Sequence, residues 1–230
     1  MELIGDQRSL IRPVVPFDPS KDRLITMDFT AANTTLTDDI LQDATSFNRY
    51  VFSRLESNHA RYGIGGYAEH RTVYRFSRVF DAEQEGDEPR RLHLGIDIWG
   101  KPQTAVMAPL EGLVHSFANN DKRGDYGATI LLTHRLPGYS FCTLYGHLSL
   151  SSIRNLHEGQ RIEAGEIFAE FGIPAENGGW PPHLHFQVIL DPGNARGDYP
   201  GVCKYSERES WLANSPDPDL ILGMNRFVGV

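Results

Sequence analysis

Apolar residues at Ile40, Ala44, Phe47, Val51 and Leu55 recur at helical spacing, so one face of a helix is predicted after Thr37. Thr37 is placed to cap it, Asp38 and Asp39 suit its first turn, and Gly63 offers a stop. A stripe of this kind is ordinary packing against a core. Before it, residues 1 to about 35 are punctuated by Pro and Thr and read as extended chain. After Gly63 to Gly66 the pattern changes to short apolar runs separated by Gly, Pro and Asn turns, continuing to about residue 192. YSFCTLYGHLSL and PPHLHFQVIL are strand-like runs of this type. The prediction is a mainly β protein with three regions: 1–65, extended and helical; 66–192, an antiparallel β-sheet domain; and 193–230, a short C-terminal appendage anchored by Leu220, Ile221 and Leu222.

Composition narrows the class. A chain of 230 residues, 40% hydrophobic and 23% charged, can bury one substantial core and a small second lobe. A net charge of −8 argues against nucleic acid or an anionic membrane as the main partner. There is no apolar stretch long enough for a transmembrane helix. The first residues lack a basic segment followed by an apolar one, so no secretory signal is expected. The location stays open between the cytoplasm, expected for the sequence as written, and the cell envelope or exterior, expected if it was trimmed. Cys142 and Cys203 have no CxxC partners, which excludes a cysteine-rich zinc site, and both are expected as reduced thiols.

Three strings carry candidate chemistry: His93-Leu94-Gly95-Ile96-Asp97, Tyr145-Gly146-His147-Leu148 and His183-Leu184-His185. A catalytic zinc site needs three protein donors and one open position, and His93, Asp97 and His185 can fill it. On a strand His183 and His185 point to one face, about 6.5 Å apart along the chain. His93 and Asp97 would stand about 13 Å apart on a regular strand, so the chain must bend, and Gly95 permits a bend. HxxxD or HxH alone is weak. Their order, with a third histidine between them in a strand-like run, makes the set a metal hydrolase's inventory.

HLGID, YGHL and HLH in this order resemble the lysostaphin-type zinc endopeptidases, the LytM-like group that cleaves peptide bonds in bacterial peptidoglycan. The resemblance covers roughly 66–190. It extends to Ala105–Val114, to Tyr126–His134 and to the turn Leu156–Glu166. It implies one Zn²⁺ per chain held by His93, Asp97 and His185, with His147 and His183 as catalytic histidines. Zinc lowers the pKa of bound water to about 7, and imidazoles near 6.5 suit the proton transfers. The expected function is zinc-dependent hydrolysis of a peptide bond in peptidoglycan stem peptides or cross-links. The alternatives are an amidase or peptidase acting on a non-wall peptide, or a non-enzymatic activator module, which the complete five-residue set disfavours. A biotinyl- or lipoyl-carrier domain would need an attachable lysine, and no Lys lies between Lys122 and Lys204.

The other histidines read as structural or solvated. His115 and His134 lie in strands, His157 in a turn and His59 at a helix end. Gly66-Tyr67-Ala68-Glu69-His70-Arg71, a polar cluster just before the metal segment, either borders the cleft or, as the preferred reading, forms a solvated strand edge, and 81–89 reads as a solvated acidic loop. Trp180, after Asn177-Gly178-Gly179, either walls the cleft or packs on the sheet.

Overall fold

The computed structural model describes residues 10–82, 84 and 86–229. Its strands are β1 (Leu24–Thr26), β2 (Tyr62–Gly65), β3 (Leu92–His93), β4 (Ile96–Trp99), β5 (Ala105–Met107), β6 (Gly112–Asn120), β7 (Gly127–Leu136), β8 (Tyr139–Leu148), β9 (Arg161–Ile162), β10 (Ile167–Glu170), β11 (His183–Ile189) and β12 (Val202–Cys203). Eight of them form one sheet in the order β1-β2-β4-β11-β8-β7-β6-β9; β10 with β5 and β12 with β3 make two small ribbons. β1 runs parallel to β2, and the other pairs are antiparallel. The protein is mainly β, as its alternating pattern predicts.

Alternation on the central strands explains why one face is core and the other is chemistry. Ile96 and Ile98 on β4, with Leu184, Phe186 and Val188 on β11, enter the main core beside Tyr145, Ile130 and Phe171. Asp97 and Trp99, and His183, His185 and Gln187, therefore point to the opposite face. β1 and β2 extend this sheet, and β12 pairs with β3 directly beside His93. Ile221 is the buried anchor of the C-terminal segment, whereas Leu220 is exposed.

The predicted single helix is two: α1 (Asp38–Gln42) and α2 (Ala44–Ser57). Thr37 makes no side-chain cap. Asp43, in extended conformation, breaks the helix and accepts a 2.7 Å hydrogen bond from the Ser46 amide, which caps α2. Phe47, Val51 and Leu55 are buried as the stripe predicts, and Ala44 is exposed. Gly63 is no helix stop, because α2 ends at Ser57 and Gly63 lies inside β2. Among the described residues, three further short α-helices are α3 (Ser151–Arg154), α4 (Arg208–Asn214) and α5 (Asp219–Leu222).

His134, on β7, is buried and structural. Its Nδ1 lies 2.8 Å from the Glu111 carbonyl and its Nε2 2.7 Å from Thr143 Oγ1. Burial pushes its pKa down to about 4. The neutral ring is thus the folded form, and an unfolded His titrates near 6.5. Stability from this residue is complete above pH 6.5 and is lost as pH falls from there towards 4, about 3 kcal/mol in all. His134→Gln should flatten the fall in urea midpoint across that window; an unchanged slope would show that the ring does not contribute.

Candidate active site

Strand register builds the cluster. His185 on β11 stands directly opposite Asp97 on β4, and Asp97 is flanked on its other side by Gly65 of β2. Directly opposed side chains on one face lie within contact distance. On the far side of β11, His185 faces Gly146, where an added Cβ would sit 2.5 Å from the Tyr126 ring. The glycine leaves room for that ring over the site.

His93 arrives from β3, held by its amide to the Glu69 carbonyl at 2.9 Å and by the Leu94 amide to Gly201 O at 2.8 Å. The ligand atoms of His93, Asp97 and His185 all lie within 4.8 Å of one another, and all three residues are buried. His93 Nε2 is 2.9 Å from His185 Nδ1 and 3.3 Å from Asp97 Oδ1, while His185 Nδ1 is 3.1 Å from the same oxygen. Two imidazole nitrogens and one carboxylate oxygen facing one point fit a zinc-type cation.

Gly95 lies at the bend expected of it, in the break between β3 and β4, and serves a second purpose there. Its φ is not in the left-handed region, but a Cβ there would lie 2.5 Å from His185 Cε1 and 2.8 Å from Phe186 O. Its hydrogen is what allows the His185 ring to lie against the chain. Gly95→Ala should displace that ring and weaken metal binding on the order of 10- to 100-fold, the usual cost of disturbing a ligand's support. Competition against a chromophoric chelator measures this, and unchanged affinity would reject the argument.

Hydrogen bonding fixes which nitrogen of each ring is free. His93 Nδ1 donates to Gly66 O at 3.1 Å, leaving Nε2 for a metal. His185 does the reverse: Nε2 donates to Gln187 Oε1 at 3.0 Å, leaving Nδ1. Gln187 is itself held by Pro200 O and Ser215 Oγ. His147 Nδ1 donates to Asn177 O at 2.8 Å, and His183 Nδ1 to Pro181 O at 2.7 Å, so both present an unprotonated Nε2. The His147 and His183 rings are 4.1 Å apart between centroids, and His183 Nε2 is 4.0 Å from Asp97 Oδ1.

Burial, then the Arg71 charge, pushes the His93 pKa down to about 3; burial brings His183 to about 4 and holds His147 well below the usual histidine range. Burial alone would raise Asp97, but the charges of His93 and Arg71 outweigh it and hold the carboxyl well below its ordinary value. Near neutral pH His93, His147 and His183 therefore offer lone pairs, and Asp97 its charge.

The sequence singled out neither Arg71 nor the backbone state of His147. Arg71, 3% exposed, donates from Nη1 to Asp97 Oδ2 at 2.5 Å and from Nε to Glu69 Oε2 at 2.7 Å. Asp97 thus has one oxygen held by the guanidinium and the other facing the histidines. The strand edge read as solvated is a buried ion-pair chain at Glu69 and Arg71, and only His70 of that trio is exposed. His147 has φ of 62°, a left-handed conformation uncommon outside glycine. It sits where the β7–β8 register shifts, with its amide bonded to Tyr126 O. Such local strain is characteristic of functional positions.

Asn177 organises the turn before HLH. Its side chain bonds to the Gly172 and Trp180 carbonyls and accepts from the Trp180 amide. Gly178, at φ 86°, approaches Asp125 O so closely that a Cβ would lie at 1.9 Å. Trp180 lines the cleft, its ring centroid 6.3 Å from His147. The acidic loop falls partly outside the described residues, at Glu83 and Glu85. Its Glu88 accepts from the amides of Tyr205 and Ser206. Both cysteines are free and buried. Among the described residues, no helix is long and apolar enough to cross a membrane.

Comparison with known proteins finds likenesses in the segment that carries the site. No curated protein sequence matches the chain. Among solved structures, the catalytic domain of the antimicrobial peptidase lysostaphin from Staphylococcus simulans is 22% identical, over 57% of this chain and 85% of that one, with a TM-score of 0.37. LytU is 25% identical over 60% of this chain and 83% of its own, with a TM-score of 0.36. The catalytic domain of a variant of the prophage-encoded M23 protein EnpA from Enterococcus faecalis is 20% identical, over 54% and 98%, with a TM-score of 0.36. The family model for peptidase family M23 matches residues 91–196, which contain all five histidine and aspartate positions described above. That segment, a little under half of the chain, is similar to peptidase family M23, the lysostaphin-type peptidases.

Proposed function

We propose that the protein is a zinc-dependent endopeptidase that hydrolyses a peptide bond, with peptidoglycan stem peptides or cross-links as the substrate class. His93, Asp97 and His185 hold one Zn²⁺, and His147 and His183 are the catalytic histidines. The observation that carries this reading is the tautomer pattern: each of the four rings has its far nitrogen tied to a fixed acceptor, leaving the near one free.

Zinc bound there supplies a water acidic enough to attack at neutral pH and a positive charge that polarises the substrate carbonyl. Gln187 and Gly66 keep the two ligand rings aimed. His147 and His183 each offer Nε2 to the cleft, so either can accept the proton released by the attacking water. The protonated ring then donates it to the departing amine. Burial favours neutral rings and returns each to its starting state.

We further propose that 66–192 is the catalytic unit and that 1–65 and 193–230 complete its cleft. Phe29 and Phe47 from the first segment, and Tyr199 to Val202 from the last, line it. The test is incubation of zinc-loaded protein with purified cell-wall sacculi and a panel of cross-link peptides, with products read by mass spectrometry. Release of defined fragments is expected, and no release from any of them would send the assignment to a non-wall peptide.

A further inference from the structure

The metal cluster opens into a cleft of about 570 Å³, within the range of sites that enclose small ligands. Arg71 and Asp97 neutralise each other at its floor. Beyond that pair, four cations line the cleft among the described residues, Arg78, Arg90, Lys122 and Arg123, against two carboxylates, Asp125 and Asp198. The sign is opposite to that of the whole chain, whose net charge is −8. Arg78, Lys122 and Arg123 are exposed, so a ligand reaches them without disturbing the core.

The backbone fixes where these cations stand. The Asp125 amide bonds to Lys122 O at 3.0 Å and closes a turn, and the Gly124 amide bonds to Gly178 O at 2.8 Å, which docks that turn on the segment leading to His183. Arg123 Cγ lies 4.0 Å from where a Gly179 Cβ would be, beside Trp180, whose ring centroid is 6.3 Å from that of His147. On its other side Gly124, at φ 88°, comes so close to Ser77 that a Cβ would lie 2.0 Å from Ser77 Oγ, and this brings Arg78 alongside. Asp125 feels the charges of Lys122 and Arg90. The Arg78 and Arg123 guanidinium groups have neither a carboxylate nor a hydrogen-bond partner among the described residues. Two cations held on neighbouring, anchored backbone with no counter-charge form a place for an anion.

We propose that Arg78 and Arg123 form a carboxylate-binding subsite at the mouth of the cleft, and that the preferred substrate is a stem peptide, or a direct cross-link between stems, carrying a free carboxylate near the bond to be cut. A planar guanidinium takes a carboxylate through two parallel N–H bonds. A neutral glycine bridge offers it nothing. This rests on the peptidase reading and names the part of its substrate class that the mouth fits.

Two measurements on zinc-loaded protein test it. The first is kcat/KM for one cross-link peptide prepared with its carboxylates free or converted to carboxamides. The acid should exceed the amide by on the order of 10-fold in dilute buffer, because exposed ion pairs are individually weak, and the ratio should shrink in high salt. The double variant Arg78→Gln/Arg123→Gln, at exposed positions where the fold is not at stake, should bring the ratio close to one. Arg135→Gln, exposed at the far end of β7 and outside the cleft, should leave it as it was. The second is equilibrium binding of N-acetyl-glutamyl-alanine amide against N-acetyl-glutaminyl-alanine amide by NMR titration, which needs no turnover. Tighter binding of the glutamyl peptide, lost in the double variant, with no cross-link peptide cleaved would sink the peptidase reading and leave the subsite standing. Equal binding of the two, equal cleavage of acid and amide, or a preference for the acid that survives in the double variant, as it would if the carboxylate sat on the metal, would overturn the subsite.

Discussion

His93→Ala and Asp97→Ala proteins are expected to purify without stoichiometric zinc and without turnover, but to differ in stability. Each removes one of three donors around a single point, and two remaining donors do not hold a structural or catalytic zinc at ordinary concentrations. His93→Ala leaves a cavity and frees the Gly66 carbonyl. Asp97→Ala does more, because Arg71 is 3% exposed and loses one of its two carboxylates. Removing one partner of a buried ion pair costs about 3–5 kcal/mol. Metal-free Asp97→Ala should therefore melt well below metal-free His93→Ala. Metal analysis and thermal denaturation, each on chelator-treated and reloaded samples, provide the check. Wild-type zinc content or full activity in either variant would remove that residue from the metal site, and equal melting points would show that Arg71 does not depend on Asp97.

That difference marks where the sequence was legible. His183, His185, Asp97 and their core-facing neighbours could be placed because strand alternation is local: every second residue shares a face, whatever the rest of the chain does. The mainly β fold follows from the same pattern. Arg71 was not legible, since its partner Asp97 is 26 residues away and meets it only once β2, β4 and the segment after Gly66 are assembled. Glu69 and Arg71 do alternate with the exposed His70, the pattern of a half-buried edge, and that is the signal that could have found them. The packing of Phe29, Phe47 and Trp180 beside the site was hidden for a similar reason, because these rings converge from three distant segments. Gly95 was legible as the bend between β3 and β4, but not its close approach to the ring of a residue 90 positions on.

Removal of His147 or His183, the histidines proposed to transfer protons, should separate chemistry from metal binding. His147→Ala and His183→Ala are expected to retain zinc, because neither ring is among the three clustered donors, and to lose activity by on the order of 10²- to 10⁴-fold each. The backbone complicates His147, whose φ of 62° is costly for alanine. Asparagine tolerates that conformation better. His147→Asn should therefore be more stable than His147→Ala while being just as inactive, and that comparison isolates the imidazole from the strain. The two rings lie 4.1 Å apart and face the same end of the cleft. If they hand one proton between water and leaving group, the double variant should be scarcely worse than either single one, since residues acting as a unit are far from additive. Losses that multiply would mean that the two histidines act independently, one on the water and the other on the developing oxyanion. Zinc lost from either single variant would place that ring among the ligands instead.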